Sequence, residues 1–221
     1  MSEQVLPFYL VCDESGSMTA GIDDMNDGLG KLHAEIANNP VVADKTRFAV
    51  IGFSDDAEVL LPLSDLADVE EIPGLTAKGG TCFGAAFKRL KQEIQKDVGQ
   101  LKADGHSVLR PVVFFLSDGQ ATDRGWESAH ADLVSPSFPA YPKIVAFGLE
   151  QVDENTIKRV ATFKAFMADG GVSPAVALRE FASSLTKSIV RSGSTLAGTG
   201  APTLQVEDSV PGFTSLPLDQ I

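Results

Sequence analysis

Five short apolar runs, separated by helical patterns, do most to limit the folds open to this chain of 221 residues. The runs occupy residues 7–12, 47–53, 112–116, 143–149 and 163–168. Apolar residues are continuous in these runs rather than alternating with polar ones, which is typical of strands covered on both faces of a sheet. A sixth segment, 57–63, follows the second run after a short polar turn, which predicts a hairpin and an antiparallel edge strand.

Between the runs, apolar residues recur at spacings of three and four, which predicts amphipathic helices. We expect helices over residues 22–36, 83–101, 126–133, 154–160 and 174–189. Asp123 and Asp153 stand just before the third and fourth of these helices, where we expect them to act as N-terminal caps.

Strands that alternate with helices predict an α/β fold. We expect a doubly wound, mostly parallel six-stranded sheet with one antiparallel edge strand and helices on both faces, Rossmann-like in outline. Sheets of this kind bind ligands at the carboxyl ends of their strands, near the point where the strand order reverses.

The length of the chain suits one domain, which we place at residues 1–192. Residues 193–221 lack a helical period and are rich in Gly, Ser, Thr and Pro, so we expect a linker and a C-terminal tail there. Its short apolar pieces, which include Val210, Phe213 and Leu216, are candidates for docking on the domain or on a partner.

The formal net charge of −12 argues against nucleic acid and anionic membranes as partners, because both are bound through basic patches. The two cysteines, Cys12 and Cys82, do not make a disulfide framework in a chain of this length. No apolar run approaches the roughly 18 residues that a membrane span needs. No basic region precedes the first apolar run as it would in a signal peptide, so we expect a cytoplasmic protein.

Small oxygen-bearing side chains follow the predicted strand ends. Asp13 ends the first apolar run, and Ser15 and Ser17 follow it on the way into a helix. Asp118 comes directly after the third run, and Thr81 stands immediately before another helix. Because the carboxyl ends of parallel strands meet at one edge of a sheet, we expect these two carboxylates and three hydroxyls to converge.

Hard oxygen donors without His or Cys suit Mg²⁺ rather than zinc, with Ca²⁺ and Mn²⁺ as alternatives. Neutral hydroxyls as ligands would leave the metal electron-poor, so it would accept a carboxylate from outside the chain. Taken one at a time, the two serines could instead cap the following helix, and Asp118 could be a turn residue. Their joint occurrence at predicted strand ends favours the metal site.

The D-E-S-G-S segment at 13–17 resembles the D-x-S-x-S signature of von Willebrand factor A (VWA) domains. Thr81 and Asp118-Gly119 are similar to the separated Thr and Asp that complete the metal-ion-dependent adhesion site of that family. The resemblance covers about residues 5–192 and matches all five motif positions.

The resemblance implies a role for each matching position. Ser15, Ser17 and Thr81 would bind the metal through their hydroxyls. Asp13 and Asp118 would act largely through water. A Glu or Asp of a protein partner would complete the coordination of the metal.

The Gly-Gly-Thr segment at 79–81 and the compact length look most like bacterial cytosolic VWA proteins associated with tellurium-resistance and stress operons. Such proteins are thought to work beside kinases and phosphatases as binding components. This likeness implies a protein–protein interaction module rather than an enzyme, with an operon-encoded kinase or phosphatase as a candidate partner.

Two other functions stay open at this point. A metal-dependent hydrolase or phosphatase would use Asp13 as its nucleophile, but a dehalogenase-type enzyme needs a second acid where this chain has Ser15. A metal that merely fastens three loops together is the other alternative. Trp126, a few residues past Asp118, is either a packing residue or an aromatic anchor for a partner.

Overall fold

The computed structural model describes residues 3–149, 153–197 and 204–218. In that part of the chain the strands are β1 (Gln4–Asp13), β2 (Thr46–Phe53), β3 (Ala57–Ser64), β4 (Ser107–Val108), β5 (Val112–Ser117), β6 (Lys143–Gly148), β7 (Lys164–Ala168) and β8 (Phe213–Leu216). The helices are α1 (Ile22–Ala37), α2 (Pro40–Lys45), α3 (Phe83–Ala103), α4 (Trp126–Val134), α5 (Glu154–Val160) and α6 (Pro174–Ala197). A short 3-10 turn, Gly16–Ala20, connects β1 to α1.

All of these strands belong to one sheet with the spatial order β3-β2-β1-β5-β6-β7-β8, and β4 pairs with the start of β1. The pairs between β2 and β7 are parallel, whereas β3 and β8 run antiparallel at the two edges. The chain passes from β1 to β2 on one side, and β5 lies on the other. The strand order therefore reverses between β1 and β5, and a ligand-binding crevice is expected at their carboxyl ends.

Helices cover both faces of the sheet, and the central strand β1 shows why its sequence is apolar throughout. Phe8 and Leu10 belong to the core that α1 and α6 complete. Tyr9 and Val11 belong to a second core on the opposite face, which α3, α4 and α5 complete. Because side chains alternate between the faces of a strand, a strand buried on both faces has no polar positions.

The predicted fold class and all six predicted strands are confirmed, but the sheet has two strands more than predicted. One is the two-residue β4, which is too short to leave a pattern. The other is β8, in which only the first and last residues, Phe213 and Leu216, are buried. Both edges of the sheet are consequently antiparallel, where the prediction had only one such edge.

The end of the described chain packs on the domain. Helix α6 runs without a break across the boundary predicted at 192/193. Beyond it, β8 pairs with β7, and Val210 is buried in the α1/α6 core. Lys164 Nζ donates hydrogen bonds to the Val206 and Glu207 carbonyl oxygens at 2.9 and 3.0 Å.

Among the residues that the structure describes, no helix combines the length and the apolar character that crossing a membrane requires.

Candidate metal centre

The carboxyl ends of β1 and β5 lie side by side and bring two of the predicted site residues together. Cys12 pairs with Leu116 in the parallel ladder, so Asp13 and Asp118 follow at neighbouring strand ends. Ser117 Oγ, at the end of β5, donates a hydrogen bond to Asp13 Oδ2 at 2.5 Å. The strand register thus places both carboxylates at the point where the strand order reverses.

The two predicted serines reach the same place from the 3-10 turn. Ser17 Oγ donates to Asp118 Oδ1 at 2.8 Å, and Ser15 Oγ lies 3.3 Å from the same oxygen. The two hydroxyl oxygens are 3.0 Å apart. Ser15 precedes the turn, but its side chain makes no capping hydrogen bond, so the alternative interpretation of Ser15 as a helix cap is not supported.

Thr81 enters from a third loop, ahead of α3. It is buried, and its Oγ1 would lie 3.2 Å from a Cβ built on Gly119, the residue after Asp118. The loop turns at Gly79, whose φ of 63° favours glycine, and the Gly79 carbonyl accepts a hydrogen bond from Gly16 N at 3.2 Å. The structure therefore brings all five predicted residues to one edge of the sheet; that they bind a metal stays a prediction.

The oxygen cluster, defined as Asp13, Ser15, Ser17, Thr81 and Asp118, has a buried carboxylate at its base. Both oxygens of Asp13 are engaged, Oδ1 by the Ser15 amide at 2.8 Å and Oδ2 by Ser117. The pKa of Asp13 is raised to about 6, chiefly by burial and in smaller part by the charge of Asp118, against the hydrogen bonds from Ser117 and Ser15 that lower it. A cation beside the cluster would favour the ionised form of Asp13.

Thr122 ties the Thr81 loop to the Asp118 loop. Its amide donates to the Thr81 carbonyl at 2.8 Å, and its Oγ1 lies 3.1 Å from the same carbonyl and 3.3 Å from the Thr81 amide nitrogen. This residue was not among the predicted site residues. The only signal for it was the Thr-Asp pair at 122–123, shortly after Asp118.

Asp123 was predicted to cap α4, and this prediction is wrong. Its carboxylate instead accepts hydrogen bonds from the amides of Phe83, at 3.0 Å, and Gly84, at 2.9 Å, in the first turn of α3. The residue before α4 is Gly125, whose φ of 79° turns the chain between Asp123 and that helix. Asp153, in contrast, caps α5 as predicted and accepts from the Thr156 amide at 2.9 Å.

Glu14 anchors the loop that leads to Thr81. It is buried, its Oε1 accepts from the Thr76 amide at 2.7 Å, and its carbonyl accepts from the Lys78 amide. Its Oε2 is buried without a hydrogen-bond partner, and Lys78 Nζ lies 4.0 Å away. Glu14 therefore connects the loop that carries Ser15 and Ser17 with the loop that leads to Thr81.

The donors in the oxygen cluster fit a hard divalent cation. Nowhere in the described ranges do three or more His, Cys, Asp or Glu side chains group as a metal site, so a cation here would depend on hydroxyl oxygens. Hydroxyl and carboxylate oxygens suit Mg²⁺, Ca²⁺ and Mn²⁺. His33 and His130 bond backbone carbonyls of other segments and offer the cluster no nitrogen donor.

Trp126 packs against aromatic side chains of α3. It is 7% exposed, and its ring contacts those of Phe83 and Phe87 at centroid distances of 5.5 and 5.9 Å. Of the two alternatives for this residue, the structure supports packing.

Solved structures with a similar fold include a pilus adhesin, a bacterial von Willebrand factor type A protein and a matrix protein of the mussel byssus. The pilus adhesin SpaC from Lactobacillus rhamnosus GG has a TM-score of 0.65 at 13% identity over 86% of this chain and 30% of its own. A von Willebrand factor type A protein from Catenulispora acidiphila has a TM-score of 0.55 at 18% identity, over 85% of this chain and 43% of its own. The proximal thread matrix protein 1 of the mussel byssus was solved with zinc in its metal-ion-dependent adhesion site (MIDAS) motif. It has a TM-score of 0.50 at 18% identity, over 88% of this chain and 46% of its own.

This chain spans less than half the length of each of these three proteins, and identities this low indicate a shared fold alone. A comparison with curated proteins gave no match. A sequence profile of the von Willebrand factor type A domain matches residues 8–120, more than half of the chain. The chain therefore belongs to the von Willebrand factor type A domain family.

Proposed function

We propose that this chain is a metal-dependent protein–protein interaction module. Ser15, Ser17 and Thr81 would hold Mg²⁺ through their hydroxyls, and Asp13 and Asp118 would act largely through water. A Glu or Asp carboxylate of a partner protein would complete the site. The observation that carries this proposal is the convergence of the two serine hydroxyls on one carboxylate oxygen from a different strand.

The hydrogen bonds around Asp13 favour binding over catalysis. Both of its oxygens already accept hydrogen bonds, and the residue is fully buried. A carboxylate held in this way can orient its neighbours, but it presents no free oxygen for attack on a substrate. His33 and His130 bond backbone carbonyls elsewhere, and His106 precedes β4, which pairs with the start of β1, so the cluster lacks an imidazole as general base.

The bound cation would supply an electrophilic position that attracts a carboxylate. The chain's own contribution is to hold the donors in place before the partner arrives. Thr122 and Glu14 fasten the Thr81 loop, and Ser117 fastens Asp13. Donors that are already fixed lose little conformational freedom when a ligand binds, which favours affinity.

The cellular setting is the part of the proposal that rests on resemblance. The Gly-Gly-Thr segment at 79–81 supports a bacterial, cytoplasmic stress or tellurium-resistance system with a kinase or phosphatase partner. The acidic composition is compatible with a protein partner and disfavours nucleic acid. Affinity purification from the native organism, with and without EDTA, tests this setting through the identity of the partners that the chelator releases.

The metal site is tested by titrating Mg²⁺ into metal-free protein in a calorimeter. Thr81→Ala and Asp13→Ala should each weaken binding about 10–100-fold, because one removes a ligand and the other removes the group that orients the serine loop. Thr186→Ala is the matched control, since Thr186 is also buried but its hydroxyl bonds the Ala182 carbonyl within α6. Equal affinity in all of these variants would contradict the proposal.

A further inference from the structure

A groove with an excess of basic residues lies beside the oxygen cluster, between the N-terminal half of α3 and helix α4. Its volume is about 230 Å³, and its lining carries three basic residues, Lys88, Lys91 and Arg124, and two acidic residues, Asp123 and Asp132. The chain has 30 acidic and 18 basic residues, so a concentration of positive charge on its surface is unusual. We propose that this groove binds an acidic segment of the same partner that supplies a carboxylate to the metal, an inference that rests on the proposed function.

Two of the three cations in the groove are free to meet a ligand. Lys91 pairs with Asp132 at 3.1 Å. Lys88 and Arg124 are exposed, and within the described residues neither has a carboxylate at ion-pair distance. The carboxylate of Asp123 also lines the groove, but it is occupied by two backbone amides.

The loop that follows Asp118 connects the oxygen cluster with the groove, because it carries both Thr122 and Asp123. Asp123 bonds the first turn of α3, and Thr122 bonds Thr81, so the groove begins where the Thr81 loop ends. Lys88 is five residues beyond Phe83 on α3, which corresponds to about 8 Å along the helix axis. An extended peptide covers about 3.3–3.6 Å per residue. Thr81 precedes Phe83 by two residues, which adds at most about 7 Å. Acidic residues within about four or five positions of the metal-binding carboxylate would therefore reach the groove.

The chemistry of the lining favours carboxylates. The Arg124 guanidinium can accept a carboxylate in a two-pronged arrangement, and the Lys88 ammonium can bond a second one. A partner with a single acidic residue would engage only the metal. A partner with a short acidic run would engage the metal and the groove together, and the two contacts would reinforce each other.

Nuclear magnetic resonance with two capped hexapeptides tests the groove. One peptide carries a single glutamate among glycines, and the other carries four glutamates. With Mg²⁺ present, both should shift the amide resonances of Ser17 and Gly119. Only the acidic peptide should also shift the amides of Lys88 and Arg124 and the indole N–H of Trp126, the only tryptophan, which lines the groove.

Charge reversal provides the decisive comparison. The double variant Lys88→Glu, Arg124→Glu should bind the acidic peptide about three- to tenfold more weakly and leave binding of the single-glutamate peptide unchanged. Lys102→Glu is the matched control, because Lys102 is exposed on the last turn of α3 and does not line the groove. Equal weakening by the control, or no shift of the groove resonances, would overturn the inference.

The same titrations separate the two proposals. If the acidic peptide shifts the groove resonances but neither peptide shifts Ser17 and Gly119, the proposed metal function fails, and with it the inference that one partner engages both sites. If both peptides shift only Ser17 and Gly119, the metal function stands and the groove inference fails. Circular dichroism and melting curves of each variant show whether a loss of binding reflects a loss of folding.

Discussion

At the scale of single residues, the oxygen cluster depends on polar groups that join loops far apart in the sequence. Asp123 accepts from amides 39 and 40 positions earlier, and Glu14 from an amide 62 positions later. Asp13, Ser15 and Ser17 were predictable because the D-x-S-x-S spacing repeats a known pattern, and Thr81 and Asp118 because one precedes a predicted helix and the other follows a predicted strand. Thr122, Asp123 and Glu14 were not, because their partners become neighbours only after the sheet has formed.

Asp123→Ala should lower the free energy of unfolding by about 1–2 kcal/mol, because it removes the acceptor for two amides at the start of α3. Asp153→Ala is the control, since Asp153 caps the short helix α5 through a single backbone amide. Urea denaturation of the two variants measures the difference. A smaller loss for Asp123→Ala than for Asp153→Ala would contradict the assigned role.

His130 should give the stability of the protein a measurable pH dependence. Burial lowers the pKa of His130 from its ordinary value of 6.5, against the opposing effect of its bond to the Val160 carbonyl. The unfolded chain therefore takes up this proton first, and stability is lost as the pH falls below about 6.5. His130→Gln should flatten the curve of unfolding free energy against pH between about 7.5 and 5. Parallel curves for the two proteins would refute this.

At the scale of elements, prediction succeeded where burial leaves a pattern in the sequence. The β1 run was recognisable because Phe8 to Val11 are all buried, in alternation between two cores. Strand β8 was missed because its middle residues are exposed and it has only four positions. Its place in the sheet depends on the unpaired edge of β7, which no local pattern reveals.

Helix α1 packs closely on α6, and glycine makes the contact possible. A Cβ on Gly28 would lie 2.4 Å from the Ala182 Cβ, whereas a Cβ on Gly30 would meet nothing within 4 Å. Gly28→Ala should therefore destabilise the fold by about 1–3 kcal/mol through overpacking. Gly30→Ala should stabilise it by roughly 0.5–1 kcal/mol, because alanine favours the helix. Thermal unfolding of both variants measures the two changes in stability. If both variants change stability in the same direction, the close contact between Gly28 and Ala182 is contradicted.

At the scale of the whole molecule, the sheet order decides what the site can do. Because the strand order reverses between β1 and β5, three loops that are distant in sequence meet at one edge without burying one another. Ser17 remains exposed there, while Asp13, Ser15, Thr81 and Asp118 are buried. A cation at this edge would thus be held from below and open to a partner from above.

Magnesium should stabilise the whole fold by binding only when the three loops are assembled. At a free Mg²⁺ concentration 100 times the dissociation constant, the expected gain is about 2.7 kcal/mol, or about 5–10 °C in melting temperature for a chain of this size. Asp13→Ala, with its 10–100-fold weaker binding, should gain only about 0.4–1.4 kcal/mol at the same Mg²⁺ concentration. If EDTA instead unfolds the wild-type protein at room temperature, the cation is a structural fastener. A folded, EDTA-treated protein that has lost its partner would identify the cation as the contact itself.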